Sequence, residues 1–473
     1  MAGTDARSLR GTIANAKGRD RAPRFFYDRV ASVRYTDLDR GTSLDTSLGG
    51  RLTELAGRSV LLATANQLTS ALALIELDGV ARRIVILPPD ATAEHLSAVI
   101  AIAGIDAVVC DDGTARHDAL ALPLRVTCAP EIVPLRETLP PAVRTEWVLM
   151  TSGTTGVPKM VVHDLHSLTT ALRAASPADG AAVWGTFYDI RRYGGLQIYL
   201  RAVCGGASLV LSSAGEPAAE HLARLAEHGV THLSGTPSHW RGALMTPTIR
   251  AIAPRYVRLS GEIADQAILD SLRAAFPQAA IGHAYASTEA GVAFDVNDGV
   301  AGFPVDYIGA ARDGVVMKIV DGSLRIRSPG AASGYVNDGQ PVADAAGFVD
   351  TGDMIERHGD RCYFAGRKGG ILNVGGLKVH PEEIEAVINR HPSVRMSRVR
   401  GRRNPITGSI AVADVVLKAE GQDAANRAAQ IELKDDILKL CRDVLPPHKV
   451  PAAISFVPAL EVGATGKLVR RQG

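Results

Sequence analysis

A chain of 473 residues can bury a large core and is expected to divide into at least two domains. Its net charge of +2 is spread through interspersed acids and bases, which gives no basis for a nucleic-acid or anionic-membrane surface, and no apolar run is long enough to span a bilayer. Five cysteines without CxxC spacing and thirteen histidines without an HExxH cluster point away from a disulfide framework or a protein-built metal site; the cysteines read as small core fillers in a reducing, cytoplasmic setting.

In chain order, the polar and basic first twenty residues lack a hydrophobic segment, which argues against a secretory signal peptide; they read as a mobile arm. Val30–Tyr35 reads as a strand and Thr36–Leu38 as a helix start. Strands at 59–65, 83–87 and 107–110 then alternate with helices at 67–80 and 92–103, the pattern of a parallel sheet covered on both faces. Five prolines in 123–141 suggest a connector. Further on, helices are expected at 165–175, within 186–211, at 220–228 and at 265–276, with strands near 231–235, 255–260 and 281–285. Beyond Gly302 short alternating segments flank Asp321-Gly322, a hairpin signal, and suggest a β-rich subdomain. After the glycine-rich 366–379, Pro381 with Glu382 and Glu383 suits a helix N-terminus. A strand at 410–417, a helix at 427–444 and a strand at 453–458 complete an α+β tail. The fold class is α/β. A large N-terminal domain (1–366) has parallel or mixed sheets, covering helices and the β-rich part; a small α+β C-terminal domain (367–473) follows.

The stretch VLMTSGTTGVPKMVVH, Val148–His163, is organised as a phosphate-binding loop would be. Thr151, Ser152, Thr154 and Thr155 supply hydroxyl donors, Gly153 and Gly156 allow tight turning and close approach, and Lys159 adds a cation. It is not a GxxxxGK[ST] loop, and by composition alone an ordinary turn is an equal reading. The whole string resembles the signature loop of the adenylate-forming superfamily: acyl- and aryl-CoA ligases, peptide-synthetase adenylation domains and luciferases. Four further segments resemble the same superfamily in its order: HAYASTEAG (His283–Gly291), FVDTGDMIERHGD (Phe348–Asp360), GRKGGILNVGGLKV (Gly366–Val379) and EVGATGKLVRR (Glu461–Arg471).

The resemblance implies roles residue by residue. The loop residues Thr151–Gly156 and Lys159 would hold the β- and γ-phosphates of ATP, Tyr285 would stack near the adenine, Thr288 would touch the α-phosphate, and Glu289 would bind Mg²⁺. Ala286 stands where the family has glycine. Asp353 would accept hydrogen bonds from both ribose hydroxyls and Arg367 would contact ribose and phosphates. Gly261 and Glu262 would precede the adenine pocket. Lys368 and Gly369 mark the interdomain hinge, with Gly369 in place of the usual polar pivot, and Gly375-Gly376 would line the CoA channel. Lys467 would act in adenylation, so the small domain is expected to be mobile.

The implied activity is activation of a carboxylic acid as acyl-AMP followed by thioester formation with CoA; transfer to a carrier-protein thiol or an amine, or a catalytically silent nucleotide-binding role, are the alternatives. A substrate pocket is expected from Tyr188, Asp189, Tyr193, Gly194, Trp240, His283 and Gly291. Two readings of Asp189 stand side by side: a partner for a substrate amine, or an ion pair with Arg191 or Arg192. Tyr188, Tyr193 and Trp240 either wall a flat pocket or pack the core.

Overall fold

The computed structural model describes residues 8–16, 23–38, 45–111, 122–151, 158–173, 182–336, 339–374, 377–404, 408–418, 427–463 and 467–469. Three large sheets and a two-stranded pair, Asp45–Thr46 with Val133–Pro134, build the large domain. The first has seven strands in the order Gly334–Tyr335, Lys159–His163, Glu146–Thr151, Arg83–Ile86, Ser59–Leu62, Ala107–Cys110 and Leu124–Thr127. Its last five strands are mutually parallel, and the Lys159–His163 strand turns back antiparallel on Glu146–Thr151. The second sheet has eight strands, and Gly291–Val296 forms one edge beside Ala280–Ser287. Short apolar strands alternating with helices can cover both faces of such sheets, which is why the pattern was legible.

Between the two sheets lies a shared core. Phe26 and Leu209 from one sheet, Val60 and Ile84 from the other, and Leu72 and Tyr199 from two helices pack together. The helix Gln67–Leu77 is buried along its whole length. Its one acidic residue, Glu76, is satisfied in the interior by Ser47 N at 2.8 Å and Ser47 Oγ at 2.5 Å, with Arg10 at 3.5 Å.

The third sheet, of six antiparallel strands, is the expected β-rich part. Asp321 and Gly322 connect two of its strands with φ of 51° and 77°, the two positive values that a tight two-residue hairpin demands. The small domain has its own core of Val379, Ile384, Ile388, Val415, Ile437 and Cys441, closed by the helices Pro381–Ile388 and Arg427–Val444 over a three-stranded sheet. Among the described residues no helix is long and apolar enough to cross a membrane. All five cysteines are free, four of them buried.

Three expectations are corrected. The first twenty residues are not simply a mobile arm: Leu9–Ala16 is a helix whose Leu9 and Ile13 enter the main core, with Leu9 N donating to Asp78 at 2.9 Å. The proline-rich connector contains the strand Leu124–Thr127, because its prolines flank the paired segment instead of interrupting it. Strands at Phe25–Tyr27, Val183–Thr186, Gly291–Val296 and Val394–Asn404 and the helix Pro237–Leu244 are among the elements that periodicity did not reveal.

Candidate active site

The signature stretch forms a hairpin. Thr151 pairs with Lys159 at the mouth of the turn, while Ser152, Gly153, Thr154, Thr155 and Gly156 lie outside the described residues. Lys159 is exposed, with its ammonium 5.4 Å from the centroid of the Tyr335 ring. The apolar run Trp147–Leu149 anchors the hairpin in the core, so the mouth of the loop sits on rigid ground.

Thr288 and Glu289 stand in the tight connection from Ala280–Ser287 to Gly291–Val296. A β-bulge between Tyr285 and Ala286 re-aims the strand just before this turn. Ala286 does not take positive φ, since Asp313 and Asp321 are the non-glycine residues that do so among the described ones; alanine in the family's glycine position therefore carries no strain. Gly291, with φ of 79°, closes the turn where a Cβ would stand 2.5 Å from the Gly330 carbonyl oxygen. His163, at the end of the hairpin's second strand, donates from Nε2 to the Thr288 carbonyl at 2.7 Å, a bond that ties the signature hairpin to the Thr288 turn. Burial lowers the His163 pKa and keeps the ring neutral in that role.

Asp353 and Arg367 face each other across paired strands of the third sheet, and Arg367 Nε donates to Asp353 Oδ1 at 2.9 Å. The Tyr285 hydroxyl donates to the other oxygen, Oδ2. The Asp353 carboxylate holds the Arg367 pKa up, and burial with the adjacent Asp353 charge pushes that of Tyr285 well up, so both donors keep their protons. Two acceptor positions of the carboxylate remain for other donors. The Tyr285 ring lies parallel to Phe364 at 4.9 Å and to Phe294 at 5.8 Å. The ring thus stacks on protein aromatics, and its hydroxyl is what it turns to Asp353.

The small domain delivers Lys467 to this cleft. Gly261, with φ of 88°, leaves the room: a Cβ there would stand 3.3 Å from Lys467 Cε. Glu262 then clasps the tail. Its Oε1 accepts from Leu468 N at 3.0 Å and from Ser238 Oγ at 3.0 Å, and its Oε2 accepts from Ser238 N at 2.9 Å. Glu262 is thus a clasp between the first turn of Pro237–Leu244 and the C-terminal segment. Neither Ser238 nor Leu468 carries a sequence signal for this role. Partial burial of the ammonium, with Arg367 nearby, lowers the Lys467 pKa, and Glu262 and Asp353 oppose that effect.

Of the expected pocket residues, Tyr188, Tyr193 and Gly194 lie together. The Tyr188 ring stands 3.7 Å from where a Gly194 Cβ would project, and its hydroxyl donates to the Ser260 carbonyl at 2.7 Å. Tyr193 begins the helix Tyr193–Gly205, its ring centroid 5.7 Å from that of His163. Asp189 is held by Arg191 at both oxygens, 2.8 Å to Oδ1 and 2.6 Å to Oδ2, while Arg192 pairs with Asp90. The ion pair is the reading the structure supports, and the amine-partner reading loses its free carboxylate. Trp240 is fully buried, edge-on to Phe187 and Phe276, and belongs to the core, not to a pocket. His283 donates to the Val300 carbonyl at 3.1 Å, which ties it to the loop after the edge strand.

The hinge segment Lys368–Gly370 is a single exposed 3₁₀ turn directly after the Arg361–Arg367 strand. Gly375 and Gly376 lie outside the described residues.

Residues 60–336 match the family described as AMP-binding enzyme, and residues 383–467 match the AMP-binding enzyme C-terminal domain. The chain belongs to the AMP-binding enzyme family. Within this adenylate-forming superfamily it is 28% identical over 471 residues to a probable non-canonical nonribosomal peptide synthetase, CymA, of Salinispora arenicola, covering 92% of this chain and 6% of that protein. It is 29% identical over 223 residues to 4-coumarate–CoA ligase 2 of Oryza sativa subsp. japonica, covering 43% of this chain and 38% of the ligase. The 2-succinylbenzoate–CoA ligase of Salmonella typhimurium is 30% identical over 261 residues, 53% of either chain. The match thus spans less than two thirds of the length of each of these relatives. In fold, this AMP-binding enzyme is similar to a benzoate CoA ligase from Burkholderia xenovorans LB400 (TM-score 0.80, 20% identity, 98% of both chains). It is also similar to the amide bond synthetase McbA from Marinactinospora thermotolerans (TM-score 0.78, 21% identity, 97% of this chain and 98% of that one).

Proposed function

We propose that this protein activates a carboxylic acid with ATP as an acyl-adenylate and passes the acyl group to the thiol of CoA. The observation that carries the reading is Lys467, held beside Gly261 by the Glu262 clasp, in the electrostatic neighbourhood of Asp353 and Arg367. In the first half-reaction a carboxylate oxygen attacks the α-phosphorus of ATP and pyrophosphate leaves. Lys467 offsets the charge that builds on the phosphoryl oxygens, Asp353 receives the ribose hydroxyls, and the hairpin that begins at Thr151 and ends at Lys159 takes the β- and γ-phosphates. In the second, the thiol sulfur attacks the acyl carbon and AMP leaves. A hinge at Lys368 and Gly369 would let the small domain withdraw Lys467 between the two.

Glu289 fits a magnesium ligand: its carboxylate makes no hydrogen bond or ion pair among the described residues, and no cluster of three or more acidic, histidine or cysteine ligands competes with it there. The nucleotide phosphates would complete that site, and Mg²⁺ would supply charge neutralisation.

Pyrophosphate exchange over a panel of carboxylic acids tests the first step, and AMP release that depends on CoA tests the second. Exchange without CoA-dependent turnover would favour the second reading, transfer to a carrier-protein thiol or an amine. Similarity to a peptide synthetase and to an amide bond synthetase keeps that reading in play. ATP binding without exchange for any acid would overturn both.

A further inference from the structure

Lys159 and His163 stand at opposite ends of one strand, which is paired on both sides, with Glu146–Thr151 and with Gly334–Tyr335. A strand held in this way moves as a stiff bar, so what fixes its His163 end also places Lys159. The Thr288 turn, 125 residues away in the chain, is tied to that end by two routes. One is backbone: Ser333 N donates to the Val162 carbonyl at 2.9 Å, and its neighbour Ala332 N to the Glu289 carbonyl at 2.9 Å. The other is the His163 ring, whose Nε2 meets the Thr288 carbonyl at 2.7 Å. Two consecutive carbonyls of the turn are thereby held from the side of the hairpin.

The ring is fixed for this task. A carbonyl oxygen can only accept, so Nε2 carries the proton; Nδ1 of the neutral ring then accepts, and Ser167 Oγ stands 3.0 Å away to donate. His163 is 2% exposed, its backbone pairs opposite the fully buried Trp147, and the Tyr193 ring packs against it with centroids 5.7 Å apart. With both nitrogens spent, the ring has no atom left for a ligand, and its part is geometric.

We propose that His163 is a positioning residue that sets Lys159 against the Thr288–Glu289 turn, and so fits the site to a nucleotide whose phosphates span both. The inference rests on the adenylating reading above. On that reading ATP reaches from the Thr288 turn to Lys159, whereas AMP ends at its α-phosphate and meets the turn alone. Loss of the His163 bond leaves each contact in being and misplaces one against the other, which ATP senses and AMP does not.

Calorimetric titration of the full chain, with Mg²⁺ present and no acid, compares ATP with AMP. His163→Asn keeps an amide where Nδ1 stood, facing Ser167, and falls short of the Thr288 carbonyl; His163→Gln carries its amide to the place of Nε2. The asparagine variant is expected to bind ATP about five- to tenfold more weakly, the scale of one lost hydrogen bond, with AMP affinity changed by less than about twofold. The glutamine variant should recover most of the ATP affinity. His163→Leu repeats the test without a polar atom, the Ser167 hydroxyl then turning to the Asp164 carbonyl at 3.0 Å. ATP and AMP weakened alike, ATP unaffected, no recovery with glutamine, or a chain that folds with neither asparagine nor leucine would overturn the proposal and leave the adenylating reading standing. An unaltered protein that binds neither nucleotide would remove both.

Discussion

Asp353 is the residue on which the geometry of the site converges: a cation across the sheet holds one carboxylate oxygen and a tyrosine hydroxyl the other. Removing the hydroxyl with Tyr285→Phe leaves the aromatic stack in place and frees the carboxylate to rotate. The expected result is a rise of about five- to tenfold in KM for ATP with a smaller change in kcat, because an orienting hydrogen bond contributes about 1 kcal/mol. Equal loss in both parameters would point to a role in the transition state instead. Lys467→Ala should lower adenylate formation by roughly 10²–10³-fold, the scale of one lost oxyanion donor, and spare thioester formation from preformed acyl-adenylate. Stopped assays of the separate halves check this; parallel losses would contradict the assignment. Asp353, Arg367 and Lys467 stood out in the sequence because each sits at a fixed place in a short motif, and the structure brings the three into one neighbourhood. The clasp was not, because its partners are a hydroxyl on another helix and a backbone N–H 206 residues away.

Among elements, the turn Lys368–Gly370 invites the clearest experiment. A Cβ at Gly369 would meet nothing within 4 Å, and its φ is not positive, so this conformation makes no demand for glycine. Glycine there costs about 0.5–1 kcal/mol of chain entropy relative to alanine and returns nothing in this pose; a second pose with a different backbone angle would account for it. Gly369→Pro should therefore slow the thioester half-reaction far more than adenylation, read by single-turnover transfer to CoA; an unchanged transfer rate would move the pivot elsewhere. Gly369→Ala, tolerated here, should raise thermal stability slightly. Long periodic elements were read closely, as with the helix Arg427–Val444. The strand Val394–Asn404 escaped because its second half is dense in arginine (Arg398, Arg400, Arg402, Arg403) and its first half buries residues on both faces, Val394 and Val399 in one core and Met396 in another, so no simple alternation shows. Pro237–Leu244 is too short for its period to show, although its Thr236 cap and following proline are start signals that were available.

At the scale of the whole molecule, two sheets share one core and the small domain keeps another. That division followed from the change in pattern beyond Gly302 and Gly366, whereas the packing of the N-terminal helix on Asp78 depends on contacts 69 residues apart that no local pattern announces. Acid sensitivity of the assembly has a nameable source. Burial pushes the Glu216 pKa up, but hydrogen bonds from His221 and Arg224 outweigh it and bring it down to about 2. Because the folded value lies below the unfolded one, this group stabilises the fold above about pH 4.5 and loses its contribution as the pH falls towards 2. Glu216→Gln should cost about 2–3 kcal/mol at pH 7 and flatten the stability decline between pH 5 and 3, measured by denaturant melts; parallel declines in both proteins would show that other groups dominate.

The clasp also grips main chain, not a side chain. Glu262 recognises the peptide N–H of Leu468, so what it senses is the position of the tail along the cleft, independent of which residue follows Lys467. Side-chain replacement at 468 should be nearly silent to the clasp, whereas Leu468→Pro, which deletes the donor, should release the lysine from its seat. Together with the hydrogen bond from Asn389 to Asp265 and the packing of Pro237–Leu244 against Val394–Asn404, this one peptide unit registers the two domains, and it is a latch that side-chain chemistry at 468 does not set.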